Sequence, residues 1–162
     1  MTQANSSMQL TRAADYGVRV MVYLAGRPEG ERTLLPTLAQ ATGTPESFLS
    51  KVLQALTRAK LISSWRGKSG GFSILPEGRS ASLYDVIEAV DGPIRLNLCL
   101  VSGQGCGRMP NCPAHPVWAR AQQAMMDVLT SASISELASG QAVPPCTAGL
   151  ETLMPTRSST RG

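Results

Sequence analysis

Apolar residues recur three and four apart along much of the chain, the spacing of helices buried on one side. TRAADYGVRVMVYLA predicts a first helix, with Thr11 as its N-cap and Ala14, Val18, Met21, Val22 and Ala25 as its apolar stripe. Arg12, Asp15 and Arg19 share another face of it. GRPEGER reads as a turn, and a short helix follows, opened by Pro36 and closed near Gly43, with Leu35, Leu38 and Ala41 directed inward. Thr44-Pro45-Glu46 supplies a cap, a first-turn proline and an acid, so a third helix is expected over PESFLSKVLQALTRAK. Leu49, Val52, Leu53 and Leu56 form its apolar side, and Ser47, Ser50, Lys51, Gln54 and Arg58 its outer side.

The period then changes. LISSWR and FSIL are β-prone runs on either side of GKSGG, the signature of a hairpin. LYDVIEAV (83–90) returns to helix, and PVWARAQQAMMDVLTS predicts a longer amphipathic one. Val117, Ala121, Ala124 and Val128 lie on one stripe of that helix, with Arg120, Gln123, Asp127 and Thr130 opposite. SISELA suggests a last helical turn. Residues 1–9 read as a loose lead-in, and Pro, Ser, Thr and Gly dominate from about residue 139, so a disordered tail is expected over 139–162. No internal repeat is visible.

The expected fold is mainly α with a small β-hairpin. Three helices with a tight turn between the second and third, followed by a glycine-rich hairpin, is the order of a winged helix-turn-helix. The expected division is a DNA-binding domain over 8–82, and a cysteine-loop and long-helix region over 83–138.

Charge strengthens this reading. The total is +4, but residues 1–82 carry ten Lys/Arg against five Asp/Glu, while residues 83–162 carry five against six. Residues 51–68 hold five bases (Lys51, Arg58, Lys60, Arg66, Lys68) and no acid. Such a block suits an anionic partner, here double-stranded DNA. A helix apolar behind and small, polar and basic in front can enter the major groove, so Ser47, Ser50, Lys51 and Gln54 are the expected base readers. Arg66 and Lys68 on the hairpin would reach the backbone or the minor groove. GKS at 67–69 is not a phosphate-binding loop, because that motif needs a glycine where Ile62 stands. No run of apolar residues is long enough for a membrane span. The N-terminus lacks the basic-then-apolar pattern of a secretory signal, so a cytoplasmic location with reduced thiols is expected.

Three of the four cysteines and the sole histidine fall in CLVSGQGCGRMPNCPAH, spaced Cys99-x6-Cys106-x5-Cys112-x2-His115. Thiolates this close on a Gly/Pro loop can converge on one centre. Zinc and an iron–sulfur cluster both accept such a set, and the spacing alone does not separate them. With one histidine, no nucleophile–His–acid set exists, and no CxxC pair points to thioredoxin chemistry, so an enzyme is not expected. Cys146, in PPC, reads as incidental.

MQLTRAADYGVRVMVYLA, PESFLSKVLQALTRAKLI, RGKSGGF and the three-cysteine loop ending in CPAHPVW occur in an order that resembles the Rrf2 family of bacterial regulators, over residues 8 to about 138. The resemblance implies a homodimer of winged-helix subunits, joined through the long helix after the cysteine loop, on a palindromic operator. It implies an iron–sulfur cluster on Cys99, Cys106 and Cys112, and a repressor whose operator affinity follows nitric oxide, redox or iron and cluster status. Two fourth ligands remain open. His115 matches the cluster-assembly type of member, with a two-iron two-sulfur cluster. Asp15 of the partner subunit matches the nitric-oxide-sensing type, with a four-iron four-sulfur cluster. MQLT, DYG, PEG and RGKSGG are nearer the second type, which favours the four-iron form, and CPAHPVW is nearer the first. Each candidate also has an ordinary explanation: His115 could orient the following helix, and Asp15 could pair with Arg19 one turn on. Where the family has a glutamate in its third helix, this chain has Ser50, so its operator should differ. The alternative is a cluster-free regulator acting through thiols or zinc on the same DNA-binding dimer.

Overall fold

The computed structural model describes residues 10–67, 69–100 and 111–140. Seven helices occur among them: α1 (Arg12–Ala25), α2 (Leu35–Thr42), α3 (Glu46–Arg58), α4 (Pro76–Ser80), α5 (Leu83–Asp91), α6 (His115–Thr130) and α7 (Ile134–Ala138). Strands β1 (Ile62–Trp65) and β2 (Gly71–Ile74) pair antiparallel between α3 and α4, with Ile62 opposite Ile74 and Trp65 opposite Gly71. The mainly helical fold with one hairpin is as the sequence predicts.

Local chemistry sets the boundaries. The Thr11 side chain accepts the Ala14 N–H and caps α1, as expected. Gly43 ends α2 at φ 65°, the left-handed conformation that a side chain disfavours. The start of α3 differs from expectation. Pro45, not Thr44, occupies the cap position, and no side chain caps the helix. Thr44 is instead buried, within 3.1 Å of the Thr42 hydroxyl. Ala41, expected inward, is exposed, because the buried stripe of α2 runs from Leu38 to Thr42, one turn on. The five-residue α4 is too short for a period to reveal it.

One core joins the elements. Val20, Met21 and Leu24 of α1 meet Leu38 of α2, Leu49, Val52, Leu53 and Leu56 of α3, Ile62 and Ile74 of the hairpin, Val86 of α5 and Ile134 of α7. The last two are fully buried, so residues after 82 complete the core begun by α1–α3. Ser133 caps α7, and its carboxylate partner Glu136 is held below the usual range by the Ser133 backbone N–H and then by the Ser133 hydroxyl.

A third segment enlarges the hairpin. Thr33 pairs with Phe72 through both backbone bonds, at 2.8 and 2.9 Å. Gly71 permits this approach, since a Cβ there would lie 2.9 Å from the Thr33 carbonyl oxygen. The stretch before α2 is thus tied to the wing. Residues 1–9 and 141–162, which include most of the expected tail and Cys146, lie outside the described residues.

Candidate nucleic-acid interface and cysteine loop

The outer face of α3 carries Ser47, Lys51, Gln54 and Arg58 exposed, with Ser50 half-buried beside them. Leu49, Val52, Leu53 and Leu56, buried at or near zero exposure, fix the opposite face in the core, so the rotation of the helix is set by packing. The Ser50 hydroxyl donates to the Glu46 carbonyl at 3.0 Å, which leaves its oxygen to accept from a ligand. Between α3 and the wing lies a groove of about 480 Å³, lined among others by Ser50, Gln54, Arg58, Trp65 and Arg66. Arg66 is exposed at the end of β1. Lys68 lies outside the described residues.

Arg32, Trp65, Phe48 and Tyr16 were not singled out from sequence. The Arg32 guanidinium lies over the Trp65 ring, 4.3 Å from its centroid, and donates to the Ser69 carbonyl at 3.0 Å. On the other flank, Phe48 meets Tyr16 edge-on at 5.6 Å, and Arg19 lies 5.7 Å from the Tyr16 ring centroid. None of these partners is near the other in sequence except Tyr16 and Arg19, so no local pattern announces them.

The cysteine loop leaves α5 at Asp91, where the Thr11 hydroxyl lies 2.7 Å from the carboxylate. The loop's first leg is fastened to α6 by one side chain. The Gln122 amide oxygen accepts the Leu96 N–H at 2.9 Å, and its nitrogen donates to the Ile94 carbonyl at 2.8 Å. Cys99 then sits in a short 3-10 turn (Leu98–Leu100) that packs on α6. Cys112 lies three residues before the first residue of α6, His115, whose N–H donates to its carbonyl at 3.2 Å. Cys99 and Cys112 are half-buried free thiols. Cys106 lies outside the described residues, and among the described ones no three His, Cys, Asp or Glu side chains converge on a metal-sized centre.

The two candidate fourth ligands sit differently. His115, the first residue of α6, is half-buried, and its Nδ1 is buried without a hydrogen-bond partner among the described residues. A buried imidazole nitrogen left unpaired is costly unless something coordinates or bonds it. Asp15 is half exposed and paired with Arg19 at 2.7 Å, as its helical spacing suggests.

Along α6 the expected stripe is in the open. Val117 and Val128 are 66% and 71% exposed, and Ala121 and Ala124 between them are exposed too. No α6 residue is fully buried, and Val117, Ala121 and Ala124 line a shallow groove of about 630 Å³. No helix among the described residues is long and apolar enough to cross a membrane.

Known proteins share this architecture. The family described as "Iron-dependent Transcriptional regulator" (Rrf2) matches residues 10–140. Protein aau3 of Rhizobium meliloti is 31% identical over 131 residues, covering 80% of this chain and 84% of its own. The structure of CymR, the global cysteine regulator of B. subtilis, has a TM-score of 0.68 at 27% identity, covering 83% of this chain and 98% of that one. The fold also matches that of IscR from T. potens, with a TM-score of 0.64 at 21% identity over 92% of this chain and 93% of that one. With a winged helix-turn-helix core, a basic groove face and a match across most of its length, the chain belongs to the Rrf2 family of transcriptional regulators.

Proposed function

We propose that this Rrf2 regulator is a homodimeric repressor whose affinity for a palindromic operator is set by an iron–sulfur cluster bound to Cys99, Cys106, Cys112 and His115. The observation that carries the cluster is the buried, unpartnered Nδ1 of His115, three residues after Cys112 and at the head of α6. A three-thiolate, one-imidazole set goes with the two-iron form, whereas Asp15 is already paired with Arg19. Such a cluster supplies a centre that nitric oxide, oxidation or iron shortage can alter or remove.

The chain's own residues explain how such a change would be felt. Gln122 fastens the loop's first leg to α6, and the Cys112 carbonyl accepts the N–H of that helix's first residue. Ligation at both ends of the loop would therefore fix α6 against α5. The open stripe of Val117, Ala121, Ala124 and Val128 suits a second copy, whose α6 would bury it. The angle of α6 then sets the spacing of two α3 helices, which must match half-sites about one DNA turn apart. Ser47, Ser50, Lys51 and Gln54 read bases in this arrangement, and Arg66 and Lys68 hold the flanking backbone or minor groove.

The test is an anaerobic absorption spectrum with iron and sulfide counted per subunit. About two irons per cluster and a structured multi-band spectrum, with a loss or shift in His115→Ala, are expected. About four irons, a broad shoulder and sensitivity to Asp15→Ala instead would overturn the ligand assignment. A colourless, iron-free protein after anaerobic reconstitution would overturn the cluster and leave zinc or bare thiols on the same dimer.

A further inference from the structure

We infer that Arg32 is a positioning residue for DNA recognition: it braces the wing against the segment that leads into α2, so that both halves of the reading head act as one rigid surface. The inference rests on the reading of the α3–wing groove as the DNA face.

Three contacts carry it. The backbone of Thr33 pairs with Phe72 and makes the pre-α2 segment a third edge of the hairpin. The adjacent Arg32 side chain crosses the wing and lies over the Trp65 ring at 4.3 Å. It then reaches the tip, where it donates to the Ser69 carbonyl at 3.0 Å. Trp65 belongs to β1 and Ser69 to the turn, so one guanidinium ties together the strand before the tip and the tip itself. Trp65 also lines the groove beside α3, and Arg66 follows it. Beyond the last ladder pair, Trp65 with Gly71, the backbone bond across the glycine-rich tip among the described residues runs from the Gly70 N–H to the Gly67 carbonyl.

Arginine is the residue type this brace needs. Its planar guanidinium stacks flat on an indole face while an in-plane N–H donates beyond the ring's margin, a geometry that a tetrahedral ammonium with no plane to stack does not reproduce. A lysine would keep the positive charge beside the DNA and lose the brace. Charge and brace therefore make opposite predictions for the conservative variant.

The experiment compares wild type, Arg32→Lys and Arg32→Ala as full-length proteins. The probe is a duplex operator selected by the wild type from a random-sequence pool, titrated at several salt concentrations. The brace predicts that both variants bind roughly three- to ten-fold more weakly, with the salt slope unchanged. It also predicts faster amide exchange at Gly70 and Phe72 in both variants without DNA, at unchanged thermal stability of the core. Full rescue by Arg32→Lys, with a shallower salt slope in Arg32→Ala alone, would make Arg32 a plain phosphate contact and overturn the inference. Unchanged amide exchange would overturn it too. If the wild type selects no duplex while exchange still quickens in both variants, the brace stands and the groove's assignment to DNA falls.

Discussion

Lys51 projects from the exposed face of α3 and Arg66 from the end of β1. Their roles should separate. A side chain reading a base edge supplies discrimination of about 1–3 kcal/mol, whereas a phosphate contact supports all sequences alike and adds about one to the salt slope. Lys51→Ala should therefore weaken operator binding by that amount and relax its sequence preference. Arg66→Ala should weaken all duplexes similarly and flatten the salt dependence. Fluorescence anisotropy titrations at several salt concentrations distinguish the two, and unchanged binding in both variants would remove the groove assignment. Most of this face was legible in the sequence, because apolar positions at helical spacing fix which residues point outward. Arg32 was not, because its partners Trp65 and Ser69 reach it only once the wing has folded back on the pre-α2 segment. Thr44 was misread for a related reason: a hydroxyl next to a proline is a reasonable cap, but tertiary burial claimed it first.

At the scale of elements, α3 ends in a way that the sequence hides. Lys60 adopts a left-handed conformation at φ 59°. Around it, the Leu61 N–H donates to the Leu56 carbonyl at 3.0 Å and the Lys60 N–H to the Thr57 carbonyl at 3.1 Å. This is the Schellman arrangement, with the apolar Leu61 and Leu56 both buried beneath it, but with lysine where glycine is usual. Lys60→Gly should therefore raise stability by about 1 kcal/mol in urea unfolding, through relief of strain that outweighs the added chain entropy. No change, or a loss, would mean that the lysine is not strained there. The longer helices and both strands of the hairpin were readable from period and turn residues. The single-residue pairing of Thr33 and the five-residue α4 fall below the length at which either period can be recognised.

For the whole molecule, the arrangement of parts argues for a coupled switch. α5 and α7 close the core of the reading head, while α6 leaves an apolar stripe uncovered. The loop that carries Cys99 and Cys112 begins near the N-terminus of α1, is fastened by Gln122 and ends on α6. The grouping of thiols and histidine was visible in the sequence. The unpaired Nδ1 of His115 was not, since burial of one ring atom depends on packing around the head of α6. A ligand can shift operator binding only by its differential affinity for the two states, and the operator must shift the ligand equally. The central claim is thus a coupling free energy, and one measurement reads it directly. Operator affinity is determined anaerobically on one full-length preparation, before and after removal of the cluster, with iron content and solution mass followed throughout. The expected result is a dimer in which the two affinities differ by at least about ten-fold, a coupling of about 1.4 kcal/mol. Equal affinities, with iron present in the first state and absent in the second, would contradict it.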